Sequence, residues 1–186
     1  MSKVFIIGFN RTGTRTLHNY FDKNGIPSLH WEYGRLAKRI KYNFLNNRPL
    51  LEGYCKYKLY SDMEDHLNFN YAHMTYFKEL DKQYPNSKFI LNIRNIENWI
   101  KSRNQHMDGK YREYFCYKLK VDTKILNSIW RKHYYEHYNN VVEYFKNTNK
   151  LLIFNIEQDN VDKLNSFLPE YKLESKYYTH QGKTNY

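Results

Sequence analysis

The side chains best suited to bind an anion are concentrated at residues 8–16, where the sequence reads GFNRTGTRT. An apolar run within residues 3–8 precedes this segment and a helical pattern follows it, so a turn from a buried strand into a helix is predicted. The first N–H groups of a helix lack partners within the helix and favour negative charge. Hydroxyl and guanidinium donors accompany them: Thr12, Thr14, Thr16, Arg11 and Arg15. The combination predicts an oxyanion site.

The two glycines of this segment have the spacing of the Walker A phosphate loop, G-x-x-x-x-G-K-[ST]. Thr14, however, stands where that motif has its lysine. A nucleotide kinase or other phosphotransferase using ATP would therefore lack the usual contact with the β- and γ-phosphates. The alternative without a ligand is a tight strand-to-helix turn in which glycine bends the chain and threonine caps the helix. Two arginines beside three threonines favour the anion site.

A second group of anion-binding side chains follows the apolar segment KFILNI at residues 88–93. Arg94 comes directly after this predicted strand, and Ser102 lies eight residues later in the next predicted helix. Ligands of parallel α/β sheets bind at the carboxyl ends of the strands, beside the glycine segment. A strand-end arginine and a helix hydroxyl can converge on one phosphate at that edge of the sheet. Taken singly, each is explained more simply as a surface residue.

Alternating strand and helix patterns must position these residues. Strands are predicted at residues 3–8, 57–62, 88–93 and 151–154, and helices at residues 14–24, 36–45, 71–84, 96–105, 123–146 and 161–168. This alternation indicates an α/β fold around a mostly parallel sheet. Because no repeat or linker interrupts residues 1–186, we expect a single domain, with a flexible C-terminus from about residue 175 onward.

Residues 11–14, Arg-Thr-Gly-Thr, resemble the 5′-phosphosulfate-binding loop of sulfotransferases, the enzymes that use 3′-phosphoadenosine 5′-phosphosulfate (PAPS). That loop often reads K-[ST]-G-T, and the arginine form is similar to a branch described as P-loop or family 4 sulfotransferases. Arg94 and Ser102 match the spacing of the family's 3′-phosphate motif, and Trp99 is similar to its packing tryptophan. The resemblance implies a three-layer α/β/α fold like that of P-loop NTPases, with roughly four to five strands in a mostly parallel sheet.

The resemblance also implies transfer of a sulfuryl group from PAPS to a hydroxyl or amine of a small-molecule or carbohydrate acceptor. Arg11, in place of the family's lysine, would stabilise the departing phosphate. Lys183, near the C-terminus, would cover the 3′-phosphate, which Arg94 and Ser102 bind. The 5′-phosphate would be held by Arg11, Thr12, Gly13, Thr14, Arg15 and Thr16. Such a transfer requires no metal, and the scattered His, Asp and Glu residues form no convincing ligand set.

The acceptor must lose a proton to a base, and three residues are candidates. Asp62 comes first, because many members of the resembled family have a histidine or an acidic residue at that strand end. His30 comes second, because other members of the branch have a histidine near it. His18, one turn past the glycine segment, comes third. A turn aspartate and a packed core histidine explain the first two residues without catalysis.

The formal net charge of +11 admits further functions. A basic surface attracts nucleic acid or polyanionic small molecules. Compositional drift towards Lys, Asn, Tyr and Ile also explains the positive net charge. A basic nucleic-acid-binding protein and an inactive sulfotransferase-like protein therefore stay open beside the phosphotransferase, although the dispersed charge argues against nucleic acid.

Composition excludes several classes of protein. The chain is 41% hydrophobic, which is too much for a disordered protein, and no apolar run approaches the roughly 18 residues of a membrane span. No signal-peptide pattern is present, and Cys55 and Cys116 lack metal or redox spacing, so we expect a reduced, cytoplasmic protein. On the resemblance, the acceptor pocket would be built from the aromatic regions around residues 54–76 and 111–117, which suit sugars, phenols or lipid head groups. The same aromatic residues equally suit a plain hydrophobic core.

Overall fold

A computed structural model describes residues 2–179 and contains a central sheet of five parallel strands. The strands of the described chain are β1 (Val4–Ile6), β2 (Ser28–His30), β3 (Leu59–Ser61), β4 (Glu64–Asp65), β5 (Asn70–Tyr71), β6 (Lys88–Ile93) and β7 (Leu151–Asn155). The order in the central sheet is β2-β3-β1-β6-β7, while β4 and β5 form a separate antiparallel pair. Because all five central strands run in parallel, their carboxyl ends lie at one edge of the sheet.

Helices cover both faces of the sheet. They are α1 (Thr14–Lys23), α2 (Arg35–Leu45), α3 (Ala72–Thr75), α4 (Phe77–Gln83), α5 (Ile96–Asn104), α6 (Lys110–Leu119), α7 (Thr123–Phe145) and α8 (Asp162–Phe167). None of these described helices is both long enough and apolar enough to cross a membrane.

The central strand β1 contributes to two hydrophobic cores. Phe5 packs with α2, α4 and α7 on one face, whereas Val4 and Ile6 pack with α1 and α8 on the other. This alternation is the two-residue period of a strand, and burial on both faces explains the uninterrupted apolar sequence. The result is the α/β/α arrangement that the sequence predicts, with the sheet fully parallel.

The predicted strands and most predicted helices are confirmed, with ends that differ by no more than two residues. The single helix predicted at residues 71–84 is wrong, because the chain leaves helical geometry at Tyr76 (φ −115°, ψ 8°), whose ring is buried against Phe44. The sequence did not predict β2, β4, β5 or α6. The three-residue β2 is too short to show a period, and α6 buries only Tyr111 and Phe115.

Candidate functional site

The segment between β1 and α1 packs so closely against neighbouring strands that no side chain fits at either of its two glycines. Gly13 has a left-handed φ of 90°, and a Cβ there would lie 2.6 Å from Cγ1 of Ile156, just beyond β7. A Cβ at Gly8 would lie 2.0 Å from the carbonyl oxygen of Asn92. Glycine therefore allows residues 8–13, which we call the glycine loop, to lie directly on the neighbouring strands.

Asn92, near the carboxyl end of β6, holds the glycine loop in shape. Its Oδ1 accepts from the Gly8 N–H at 2.8 Å, and its Nδ2 donates to the Thr12 carbonyl oxygen at 3.0 Å and to Thr12 Oγ1 at 2.6 Å. The Thr12 hydroxyl donates to the Phe9 carbonyl oxygen, and Thr12 is fully buried. The Thr12 side chain thus shapes the loop from within. Asn92 was not identified from sequence, although a polar residue inside KFILNI is a signal for it.

The N-terminus of α1 offers donors to an anion. No side chain caps this end of the helix, and its first turn contains no acidic residue. Thr14 and Thr16 are buried in the first turn, and Arg15 is exposed between them. Uncapped N–H groups and the helix macrodipole favour a bound oxyanion here, and the Arg15 guanidinium strengthens that preference.

Arg11 connects the glycine loop with the second predicted motif. Its backbone is left-handed, with φ of 66°, and its Nε donates to Ser102 Oγ at 3.0 Å. Ser102 lies on α5 and is 1% exposed. Two residues that are 91 positions apart in sequence therefore meet, and each belongs to a different predicted phosphate site.

Arg94 lies at the end of β6 and is fixed by two neighbours. Its Nε donates to Oε1 of Glu157 at 2.7 Å, and its carbonyl oxygen accepts from the Tyr134 hydroxyl at 2.8 Å. Burial raises the pKa of Glu157, but hydrogen bonds from Arg94 and from the Asn95 N–H outweigh it and lower that pKa overall. Glu157 is therefore a carboxylate that orients the guanidinium. Sequence reasoning missed it, because nothing distinguishes it from a surface acid.

The segment after β7 brings Arg94 towards the glycine loop. Ile156 donates its N–H to the Ile93 carbonyl oxygen at 3.0 Å and packs against Gly13. Glu157, the next residue, holds Arg94. One short segment thus contacts both the turn before α1 and the arginine after β6.

The first two candidate bases lie side by side. His30 Nε2 is 3.5 Å from Oδ2 of Asp62, and their side chains are 14% and 15% exposed. The strands β2 and β3 that carry them are paired in parallel, with His30 opposite Ser61. Asp62 has a left-handed φ of 53°, which turns the chain immediately after β3.

His30 forms a hydrogen bond through its other ring nitrogen. Nδ1 lies 3.0 Å from the Ser61 hydroxyl oxygen, which also lies 3.4 Å from the Leu29 carbonyl oxygen. Burial, His18 and Arg15 lower the pKa of His30 to about 3. Burial, with the Glu64 carboxylate nearby, raises the pKa of Asp62 well above its ordinary value, although Arg15, Arg103 and Arg11 oppose this rise.

His18, the third candidate, stacks on His30 with ring centroids 5.3 Å apart. Burial lowers the pKa of His18, so it too favours the neutral form. The structure thus links all three candidates, because His30 contacts both Asp62 and His18.

Glu64 holds the glycine loop through a hydrogen bond to Asn10 and was not identified from sequence. It is 2% exposed, and its Oε1 accepts from the Asn10 N–H at 2.7 Å. Burial raises the pKa of Glu64, while Arg103 and the Asn10 hydrogen bond oppose that rise. The indole N–H of Trp99 donates to the Asn10 carbonyl oxygen at 2.9 Å. Asn10 is thus held on both sides.

Arg103 is a buried cation close to the same loop. It is 1% exposed and donates from Nη2 to the Tyr111 hydroxyl at 2.7 Å. Its guanidinium carbon lies 4.7 Å from the Trp99 ring centroid and 4.5 Å from that of Trp130. Cation–π contact compensates in part for lost hydration, and Glu64 supplies the nearby negative charge.

The remaining predicted residue, Lys183, lies outside the described residues. Within residues 2–179, no group of three or more His, Cys, Asp or Glu side chains is arranged to hold a metal ion.

Comparison with protein families agrees with the geometry of this edge of the sheet. A family model described as "Sulfotransferase domain" matches residues 3–133, which is more than half of the chain. The matched span includes the glycine loop, His30, Asp62, Arg94 and Ser102. Comparison with curated proteins finds no match.

Proposed function

Since the chain belongs to the family of sulfotransferase domains, we propose that it transfers a sulfuryl group from PAPS to a hydroxyl or amine of a small-molecule or carbohydrate acceptor. The observation that carries this proposal is the hydrogen bond between Arg11 and Ser102, which joins the glycine loop to the motif after β6. The two anion sites of a bisphosphorylated adenosine must lie within one nucleotide of each other. A direct contact between residues of the two motifs supports that requirement.

The proposed 5′-phosphate site is the turn formed by Gly13 and the start of α1. Its donors are backbone N–H groups, the exposed Arg15 and the Arg11 guanidinium, with Thr14 and Thr16 in the first turn. These groups match the charge and the lone pairs of a phosphate oxyanion. Thr12 contributes by holding the loop conformation through Asn92.

The proposed 3′-phosphate site combines Arg94 and Ser102. Glu157 holds Nε of Arg94, and a guanidinium has further N–H donors that can reach a phosphate. The Ser102 oxygen accepts from Arg11, and its own O–H proton can be donated to the same phosphate. Lys183 is kept as a proposed contact to this phosphate.

PAPS, when bound, supplies the sulfuryl group and a phosphate leaving group. Arg11 is proposed to stabilise negative charge that develops on the leaving oxygen, as donors do in other in-line displacements. Asp62 is proposed to take the proton of the acceptor hydroxyl, with His30 Nε2 beside its Oδ2. Because the pKa of Asp62 is raised, Asp62 acts as a base only after its own proton has left.

Titration calorimetry with adenosine 3′,5′-bisphosphate and adenosine 5′-phosphate, without metal, tests the donor assignment. Wild-type protein is expected to bind the bisphosphate at least tenfold more tightly. Ser102→Ala and Arg94→Ala should each weaken bisphosphate binding by about tenfold or more, since each removes a hydrogen bond to a charged group. Both variants should bind the monophosphate nearly as wild type does.

Ser128→Ala is the matched control, because its hydroxyl donates to the Lys124 carbonyl oxygen on the exposed face of α7. It should leave both affinities unchanged. Equal losses for both nucleotides in Ser102→Ala would contradict a 3′-phosphate site. Tighter binding of ATP with Mg²⁺ than of the bisphosphate would instead favour a phosphotransferase.

A further inference from the structure

Arg94 is held at its backbone and at its side chain. The backbone N–H donates to the Tyr134 hydroxyl oxygen at 3.1 Å, and the Arg94 carbonyl oxygen accepts from the same hydroxyl at 2.8 Å. At the side chain, Nε donates to Oε1 of Glu157 at 2.7 Å. The side chains of this ion pair are 21% and 24% exposed, so the bond is charge-assisted and partly shielded from water. A guanidinium held in this way has little freedom to change rotamer.

Glu157 is itself held by three further hydrogen bonds. Its Oε2 accepts from the Asn95 N–H at 3.1 Å, and its Oε1 also accepts from Asn98 Nδ2 at 3.1 Å. The Glu157 N–H donates to Oδ1 of Asn155 at 3.0 Å. Burial raises the pKa of the Glu157 carboxyl group, but the hydrogen bonds it accepts outweigh burial and lower that pKa overall. The carboxylate is therefore a fixed support for Arg94.

The residue before Glu157 packs on the glycine loop. Ile156 donates its N–H to the Ile93 carbonyl oxygen at 3.0 Å, just beyond the last paired residues of β6 and β7. A Cβ at Gly13 would lie 2.6 Å from Cγ1 of Ile156, so this side chain lies directly against the turn before α1. Two consecutive residues thus connect the proposed 5′-phosphate site with Arg94.

A fixed spacing between two phosphate sites can distinguish isomers of one nucleotide. Adenosine 2′,5′-bisphosphate has the same atoms and charge as the 3′,5′ isomer, but its second phosphate is attached to the neighbouring ribose carbon. When the 5′-phosphate is held at Gly13, the second phosphates of the two isomers therefore reach different places. An arginine that is free to change rotamer can follow both positions, whereas one that is held at Nε cannot.

We propose that Glu157 is the positioning residue that makes this site selective for a 3′-phosphate over a 2′-phosphate. The inference rests on the proposed sulfotransferase function and adds to it the origin of the nucleotide specificity. A carboxylate repels a nearby phosphate, so Glu157 can favour binding only by orienting the cation that it holds. Glu157 therefore acts through Arg94.

The test compares the affinities of the full chain for the two bisphosphate isomers by titration calorimetry. Wild-type protein should bind adenosine 3′,5′-bisphosphate at least about tenfold more tightly than the 2′,5′ isomer, as expected for one hydrogen bond to a charged group. Glu157→Ala should reduce this preference to less than about threefold. The loss of one negative charge acts on both isomers alike, so it cancels in the ratio of the two dissociation constants.

Glu97→Ala is the matched control. Glu97 lies in the first turn of α5 and is 67% exposed, and its carboxylate accepts from Arg131 at 2.6 Å and 2.8 Å. This variant removes the same charge without disturbing Arg94, and it should keep the preference within about twofold of wild type. In the background of Arg94→Ala, Glu157→Ala should not change the preference further, because the two residues act as one unit.

Three results would overturn the inference: equal affinity of the wild type for the two isomers, an unchanged preference in Glu157→Ala, or an equal change in Glu97→Ala. Affinity for adenosine 5′-phosphate and the circular dichroism spectrum, both expected to be unchanged, show that each variant is folded. If Glu157→Ala does not fold, Glu157→Gln replaces it. The amide has one acceptor oxygen instead of two, so it cannot hold Arg94 and Asn95 together, and the preference should again fall.

The proposed function has a separate failure. Wild-type protein that binds adenosine 3′,5′-bisphosphate no more tightly than adenosine 5′-phosphate would refute the 3′-phosphate site itself. A preference for the bisphosphate without selectivity between its isomers would refute only the role of Glu157.

Discussion

Gly13→Ala is expected to destabilise the protein through two separable effects. The left-handed φ of 90° costs an alanine about 1–2 kcal/mol. The new Cβ would also lie 2.6 Å and 2.7 Å from Cγ1 and Cδ1 of Ile156, and overpacking of this kind costs about 1–3 kcal/mol. The free energy of unfolding should therefore fall by about 2–5 kcal/mol in all, which is a large fraction of the stability of an ordinary domain.

A double-mutant cycle with Ile156→Ala separates the two effects. This change removes both of the closest atoms and leaves only the Cβ of residue 156 at 3.3 Å, so in its background Gly13→Ala should cost little more than the conformational part, about 1–2 kcal/mol. Gly25→Ala is the matched control, since Gly25 has φ of 75° but no atom within 4 Å of a built Cβ. Its cost should not change with Ile156→Ala. Urea unfolding followed by tryptophan fluorescence gives all the values. An equal cost of Gly13→Ala in both backgrounds would refute the packing argument.

Three further predictions follow from buried polar groups. Asn92→Ala leaves the Gly8 N–H and the Thr12 carbonyl oxygen without their partner, so urea unfolding should show a loss of about 2–4 kcal/mol, and unchanged stability would contradict this role. Turnover, measured as release of adenosine 3′,5′-bisphosphate, should rise with pH through a pKa above the ordinary value for Asp62, and Asp62→Asn should abolish this dependence. Folding raises the pKa of Asp62, so its protonated form stabilises the folded protein below its ordinary pKa of 3.8, and this contribution is lost as the pH rises. The stability of Asp62→Asn, compared with that of the wild type, should therefore increase from acid to neutral pH. Arg103→Met should cost about 1–3 kcal/mol by removing the hydrogen bond to the Tyr111 hydroxyl, as measured by urea unfolding, and unchanged stability would contradict this role.

The parallel sheet was predictable because its long strands are buried on both faces. KFILNI and the run within residues 3–8 are continuous apolar sequences, and each forms a strand at the expected place. The short strand Ser28–His30 has no such signature. Since its position beside β3 brings His30 to Asp62, the contact between the two candidate bases was not predictable either.

The residues proposed for the site were predicted from sequence because they belong to local motifs, whereas the residues that support those motifs in the structure were not predicted. The glycine loop and the pair Arg94 and Ser102 each follow a predicted strand, and their spacing matches that of the sulfotransferase motifs they resemble. Asn92, Glu157 and Glu64 act on those motifs from other strands, across contacts that only the folded sheet creates. No periodicity in the sequence encodes such long-range contacts.

A crystal structure of the protein with adenosine 3′,5′-bisphosphate tests the central claim most directly. One nucleotide should place its 5′-phosphate at Gly13 and the start of α1, and its 3′-phosphate within hydrogen-bond distance of Arg94 and Ser102. A nucleotide bound elsewhere, or one whose 3′-phosphate contacts neither Arg94 nor Ser102, would contradict the account.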